Sequence, residues 1–449
     1  MKKRIAFISD HASPLATLGG VDSGGQNVYV AELAKKLAGM GYLVDVFTRR
    51  DSEDLAEVVS YAPGVRVIHI AAGPACFMPK EQLLPYMADF AEEMIQFIHH
   101  QQIHYSLVHA HFFMSGCVAS VLRKELGIPY VITFHALGMV RRVYQKEADQ
   151  FPAERISIET MLVQEADHII AECPQDKEDL IRYYDAAEQD ISIIPCGFCP
   201  NEFYPLDKLS ARKQLQLPLY DKIVLQLGRM VPRKGVDNVI RGLAAMQTGR
   251  EKTQLVIVGG EGDLPEVLAT PELKRLQQVA REAGVSDRII FTGRQSRSVL
   301  RYYYAASDVF VTTPWYEPFG ITPLEAMACG TPVIGANVGG IKYSIADGKT
   351  GLLVPPNDPA ALGAAMEQLL LREDVLKRMQ RQALQHVNRH FTWERVAESM
   401  HGLYSRMAKV PARTKTANWK DSLLLKDFGQ LLRQSFYTPG MHQPLPGNR

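Results

Sequence analysis

Two glutamates, Glu317 and Glu325, stand eight positions apart in the stretch EPFGITPLEAMACGTPVIG. Glu325 closes the tetrad Thr322-Pro323-Leu324-Glu325, which has a capping residue, proline at the first helical position and glutamate at the third. That order predicts a capping box at a helix start. Glu317 lies before the helix, in the loop that follows the apolar run Asp308 to Thr312. Two carboxylates are therefore expected at the open end of a strand and at a helix N-terminus, where backbone N–H groups and the helix dipole favour an anion. In open α/β sheets nucleotides bind in such crevices.

Two cations have a matching position. Arg229 and Lys234, in GRMVPRKG, directly follow the strand-like KIVLQLG. By spacing alone they describe a solvated basic loop. The glutamate loop, at another strand end of the same sheet, changes that reading: cations suit a diphosphate and a carboxylate suits ribose hydroxyls. Each charge-assisted hydrogen bond of this kind contributes about 1.5–3 kcal/mol. Near the start of the chain, Gly24 and Gly25 precede the helical VYVAELAKKLAGMG, and paired glycines there let backbone approach a phosphate closely.

The elements that must position these groups are legible as alternation. KRIAFIS, YLVDVFT, VRVIHI, SLVHA, PYVITF, DHIIAE and ISIIP read as strands, with helical patterns between most of them. KIVLQLG, QLVIVGG, RIIFTG, DVFVTT, PVIGA and GLLVP repeat the pattern. Such alternation implies βαβ units and parallel sheets. The expected fold class is α/β, with two doubly wound Rossmann-like domains facing a central cleft. The punctuation in PCGFCPNEFYPLD, residues 195–207, puts the boundary near 200. The first domain is read as 1–200 with a return helix at about 393–410, the second as 201–392, and 411–449 as a partly disordered tail.

At 449 residues two large cores are expected. Fifty basic against forty-nine acidic residues argue against a nucleic-acid surface, so a small ligand is the expected partner. No stretch has the ~18 apolar residues of a membrane span, and the apolar run in MKKRIAFISD is too short for a signal peptide. These features and six scattered cysteines fit a cytoplasmic protein. Three other patterns attract sharper readings and lose them. Cys196-Gly-Phe-Cys199 has redox spacing but is followed by Pro200 where a helix is needed. Asp51, Glu53 and Asp54 read as a solvated loop. His109 and His111 share one face of a strand, but no third metal ligand is spaced to join them. No metal site is expected.

The run from Glu317 to Glu325, with Gly228-Arg229 and Lys234-Gly235, resembles the signature of the retaining glycosyltransferases of family 4, which have the GT-B fold. GGQNVYVAEL, FTRR, FMPKEQLLPY and FHALG are most similar to sucrose-phosphate synthases, followed by the mycothiol-pathway inositol-phosphate N-acetylglucosaminyltransferases. The resemblance covers about residues 3–405. It implies Arg229 and Lys234 on the donor diphosphate, Gly24 and Gly25 at a phosphate, and Glu325 on the ribose. Glu317 and the backbone of Phe319, Gly320, Ile321 and Thr322 would lie beside the donor sugar, with His135 facing the transferred group. Asn27, Lys80, Phe112 and Arg155 match acceptor positions, Lys80 and Arg155 being the cations for an acceptor phosphate. Phe112 stands where the inositol branch has tyrosine, and Ala136 where both branches have a hydroxyl.

The implied reaction is retaining transfer of a hexose, with UDP-glucose as donor, fructose 6-phosphate as first acceptor and no cofactor or metal. Transfer to an inositol phosphate, or to a polysaccharide or lipid, is the alternative within the family. A nucleotide-sugar 2-epimerase and a non-catalytic nucleotide-sugar sensor are the alternatives from other classes.

Overall fold

The computed structural model describes residues 3–16, 24–268 and 270–407. Gly19, Gly20 and the tail after Met407 lie outside the described residues. The first sheet contains β1 (Arg4–Ile8), β2 (Leu43–Arg49), β3 (Val58–Ala62), β4 (Val65–Ile70), β5 (Val108–His111), β6 (Tyr130–Thr133), β7 (His168–Ala171) and β8 (Ile191–Ile193), in the order β3-β4-β2-β1-β5-β6-β7-β8. The second contains β9 (Lys222–Leu227), β10 (Thr253–Val258), β11 (Ile289–Phe291), β12 (Val309–Thr312), β13 (Val333–Ala336) and β14 (Gly351–Val354), in the order β11-β10-β9-β12-β13-β14.

Pairing in the second sheet is parallel throughout, and in the first only β3, which runs antiparallel to β4, departs from it. Parallel strands covered by helices on both faces must be apolar along their whole length. Every residue of β5, β6, β12 and β13 is buried. β3 is the strand that apolar runs did not reveal. Its sequence, VVSYA, is half exposed because it forms an edge paired on one side only.

In the first sheet the strand order reverses between β1 and β5, and in the second between β9 and β12. Ligands of doubly wound sheets bind outside the carboxyl ends at such reversals. The chain after β1 and β5 and the chain after β9 and β12 line one shared cleft.

The chain crosses between the two domains twice at one place. Phe198 N–H donates to the Phe391 carbonyl at 2.9 Å, and Trp393 N–H to the Phe198 carbonyl at 3.1 Å. Helix Trp393–Met407 then packs on helix Gly25–Gly39 of the first domain. Lys36 pairs there with Glu394 at 2.6 Å, and the fully buried Trp393 meets Tyr29 edge-on at 5.5 Å between ring centroids. We expect Trp393→Ala to destabilise the protein by about 3–5 kcal/mol, since no side chain can collapse into a buried indole cavity without moving the return helix. Urea denaturation followed by far-UV circular dichroism measures this, and Trp393→Phe should recover part of the loss.

Candidate functional site

The cleft encloses about 350 Å³. Its second-domain wall starts at the end of β9, where Gly228 and Arg229 lead into a single turn, Pro232–Lys234. Gly235 ends that turn with φ 65°, and a Cβ there would lie 2.0 Å from the Thr313 carbonyl oxygen. Only glycine lets the loop after β9 lie directly against the chain leaving β12. Trp315 N–H also donates to the Arg233 carbonyl at 2.9 Å. These contacts bring Glu317 onto the cations: its carboxylate accepts from Lys234 Nζ and lies 3.9 Å from Arg233 Nη1.

Burial disfavours charge on both partners of this pair. It lowers the Lys234 ammonium to about 8 against the pull of Glu317, with Arg233 and Arg229 pushing the same way as burial. Burial would raise the Glu317 carboxyl, but Lys234, Arg233 and Arg229 hold it below the usual carboxylate range. The cation cluster is thus crowded around one carboxylate at the end of the sheet, and a second polyanionic group in the cleft would relieve it.

Glu325 departs from its expected local role. Helix Ile321–Ala328 begins two residues earlier than the sequence pattern implies, with Gly320 (φ 93°) at its N-cap and no side-chain cap. The capping box does not form, because the glycine turns the chain before Thr322 reaches the cap position. Glu325 is freed for tertiary partners: Arg297 Nη1 donates to it at 2.9 Å and Tyr304 Oη at 3.0 Å. Arg297 also reaches Glu202 at 2.8 Å and lies over the Phe203 ring. Burial works against its charge, yet Glu325 and then Glu202 raise its pKa further. The uncapped turn at Phe319, Gly320, Ile321 and Thr322 lines the cleft beside Glu317.

Across the cleft stand Gly24, Gly25, Asn27, Lys80, Phe112 and His135. Gly24 is the N-cap of helix Gly25–Gly39, and Asn27 fastens that end: its Oδ1 accepts from Gly24 N–H at 2.9 Å and its Nδ2 donates to the Ser13 carbonyl at 3.0 Å. Phe112 and His135 both have positive φ, 83° and 58°, a conformation that costs a non-glycine residue free energy and gathers at functional sites. Both ring nitrogens of His135 have partners, Nδ1 with Glu172 at 3.0 Å and Nε2 with His111 Nδ1 at 3.1 Å. His109 continues this cluster, its ring tilted 34° against His111 with centroids 4.1 Å apart and bonded to Thr133 and Tyr404. Folding therefore supplies His109 and His111 with the third histidine that spacing did not show. Burial pushes both well below the usual imidazole range, and among the described residues no group of three ligands is arranged to hold a metal ion.

Arg155 requires a correction. Expected at an acceptor phosphate, it is 1% exposed and does not line the cleft. Its Nε donates to Glu159 at 2.7 Å, its Nη2 to the Ala136 carbonyl, and the guanidinium lies 4.5–4.8 Å from the ring centroids of Phe112, Phe113 and Phe151. Glu159 in turn accepts from Gly138 N–H at 2.9 Å and from Tyr184 Oη. The arginine fastens the loop that carries His135 and Ala136. The resemblance matched it as an exposed acceptor cation; the aromatic cage that buries it comes from two separated segments, Phe112-Phe113 and Phe151.

A model of the glycosyl transferases group 1 family matches residues 207–386, and one of glycosyltransferase family 4 matches residues 23–202. A D-inositol 3-phosphate glycosyltransferase from Corynebacterium efficiens is 35% identical over 93% of this chain and 100% of its own length. The chain belongs to glycosyltransferase family 4. The sucrose-phosphate synthase of Thermosynechococcus elongatus superposes with a TM-score of 0.83 and 34% identity, over 90% of this chain and 99% of that one. HepE of Anabaena, solved with UDP-glucose, shares the fold at a TM-score of 0.70 and 19% identity over 90% of this chain and 99% of that one. This chain is a GT-B hexosyltransferase that uses a nucleotide sugar.

Several cleft residues of the glycosyltransferase escape a linear reading. Arg233 is adjacent to Lys234, but only the approach of Glu317 distinguishes it from a solvated cation. Arg141 lines the cleft while bonded to Asp149 at 2.8 and 3.0 Å, and Glu172 is known as His135's partner only after β6 and β7 pair. We expect Arg155→Ala to cost about 3–5 kcal/mol of stability, because Glu159 is left buried without its cation. Thermal and urea unfolding read this directly. Arg155→Met combined with Glu159→Leu should recover much of the loss if packing, rather than charge, is what the fold needs there.

Proposed function

We propose that this enzyme transfers a hexosyl group, glucose from UDP-glucose in the first instance, to a hydroxyl of a small phosphorylated polyol or sugar, with retention of configuration. The observation that carries the reading is the cluster of Arg229, Arg233 and Lys234 around Glu317, between two facing topological reversals. A nucleoside diphosphate suits it: its phosphates take over the cations, and Lys234 and Arg229 stabilise the leaving group as negative charge develops. Glu317 is then released from part of its pairing to bind the donor sugar. The uncapped N–H groups at Ile321 and Thr322 add dipole stabilisation at the same place. Glu325, already positioned by Arg297 and Tyr304, is proposed to hold the ribose.

On this reading the acceptor hydroxyl attacks from the face the diphosphate leaves, and a phosphate oxygen takes its proton. The protein cations supply the charge stabilisation, so no metal is required by the proposal. Asn27, Lys80 and Phe112 face the acceptor half of the cleft, and Lys80 is the proposed phosphate contact. The names of the curated relatives favour an inositol phosphate over fructose 6-phosphate as the acceptor, and the sucrose-phosphate synthase likeness supports the sugar phosphate as the second choice. Nothing about the cluster favours an epimerase or a sensor, and acceptor-dependent nucleotide release separates them from a transferase.

A matrix of UDP-, GDP- and ADP-sugars against inositol 3-phosphate and fructose 6-phosphate, read by released nucleotide and product mass, tests the assignment. We expect UDP-glucose with a phosphorylated acceptor to turn over, the anomeric configuration to be retained by NMR, and EDTA to leave the rate unchanged. Turnover with free inositol or fructose at the same rate would refute the phosphate contact.

Lys234→Ala should cost about 2.7–4 kcal/mol of barrier. Because the folded-state Lys234 ammonium titrates near 8, UDP affinity should be level below that pH and weaken as pH rises through it. Isothermal titration calorimetry across pH 6.5–9.5, a range of about three units chosen to bracket the ammonium, measures the effect, and Lys234→Arg should abolish it.

A further inference from the structure

The loop that carries Glu317 is also where the two domains meet across the mouth of the cleft. Tyr316, 5% exposed, stacks on Tyr144 of helix Gly138–Gln145 with ring centroids 5.3 Å apart and planes 23° from parallel. Gln145 Nε2 donates to the Tyr316 hydroxyl. From the second domain, the Arg233 guanidinium lies 5.4 Å from the centroid of the same ring, while Arg233 Nη1 is 3.9 Å from Glu317. One ring thus touches a helix of the first domain and a cation of the proposed diphosphate site.

The helix is firmly held at its far end. Gly138 N–H donates to Glu159 at 2.9 Å and Met139 N–H to Tyr184 Oη at 2.9 Å. In its middle it places Arg141 on the cleft wall. Its last turn ends at Tyr316. The stack is not core packing, since Tyr144 remains 45% exposed. Two further contacts cross between the domains nearby: Cys173 Sγ donates to the Pro318 carbonyl at 3.3 Å, and Lys342 Nζ to Gln175 Oε1 at 2.8 Å.

We propose that Tyr316 is a positioning residue that couples docking of the first-domain helix Gly138–Gln145 to the placement of Arg233 and Glu317 at the donor. The inference rests on the transferase reading. With the helix docked, the tyrosine ring fixes the guanidinium between its face and the carboxylate; with the cleft open, that support is withdrawn. Donor binding itself does not need the stack, because Arg229 and Lys234 belong to the second domain alone.

Tyr144→Ala removes the first-domain half of the stack at a partly exposed position, so the fold should survive. The probe is whichever of UDP, GDP and ADP the wild type binds. In the wild type, docking of the helix should appear as compaction in small-angle scattering when nucleotide saturates the cleft; in Tyr144→Ala, expected are nucleotide affinity within about twofold of wild type, a kcat lowered about three- to tenfold, and loss of that compaction. Tyr144→Phe keeps the ring and should restore all three. Tyr316→Phe, which loses only the Gln145 bond, should fall between them. Wild-type kcat with wild-type compaction in Tyr144→Ala overturns the proposal, as does a fall in kcat matched by an equal fall in nucleotide affinity. Compaction is read without turnover, so failure of the acceptor assignment leaves this arm intact and distinguishable.

Discussion

The contact between Lys234 and Glu317 is the interaction around which the second-domain wall of the cleft is built. It joins the loop after β9 to the loop after β12, the two strands between which the sheet order reverses. A carboxylate and an ammonium that are both largely withdrawn from water, at 14% and 22% side-chain exposure, are each unfavourable alone, and close pairing makes them tolerable. That condition explains the glycine at 235, the backbone bond from Trp315 to Arg233, and the uncapped helix at Ile321. Gly340 serves the same end: a Cβ there would lie 2.3 Å from the Phe319 Cα, so the next helix can press against the glutamate loop from behind.

The first-domain wall follows a different logic. Several of its polar groups are committed to partners: Asn27 to the Gly24 turn, His135 to Glu172 and His111, and Arg141 to Asp149, while Arg155, buried behind the wall, holds Glu159 and the Ala136 carbonyl. Groups satisfied in this way offer a ligand fixed hydrogen-bonding directions, beside the Lys80 ammonium proposed for the acceptor phosphate. Strained backbone at Phe112 and His135 belongs to the same wall, and its cost is met by the packing of β5 and β6 beneath it. Burial reinforces the commitment. The Cys196 thiol and the Asp176 carboxyl, one bonded to Glu172 and the other near it, are raised by burial and by that glutamate, Asp176 to about 8.

The two walls are held in register by the crossing at Phe198 and Phe391 and by the return helix on the first domain. Phe391 also lies 6.1 Å from Phe319, so the crossing is in direct contact with the glutamate loop. The crossing touches the Glu317 loop at one end and the stack of Tyr316 on Tyr144 holds it at the other, so this loop is where the two domains meet.

The amino-acid sequence by itself determined the class of fold, because a parallel strand covered on both faces has to be apolar along its length, and thirteen such runs coincide with the thirteen strands other than β3. It also determined which residues line the second-domain wall, since Arg229, Lys234, Glu317 and the turn from Phe319 to Thr322 come from loops that follow strands, and the ends of neighbouring parallel strands lie together. β3 stayed hidden because an edge strand need not be apolar. Only the tertiary structure decided what the charges do. Glu325 turned to Arg297 and Tyr304 instead of its own helix cap, the histidines gained a third member through the pairing of β5 with β6, and Arg155 was buried in a cage of phenylalanines. Periodicity records which residues must leave water, whereas the partner of a buried charge is set by segments far apart in the chain, and no local pattern encodes that distance.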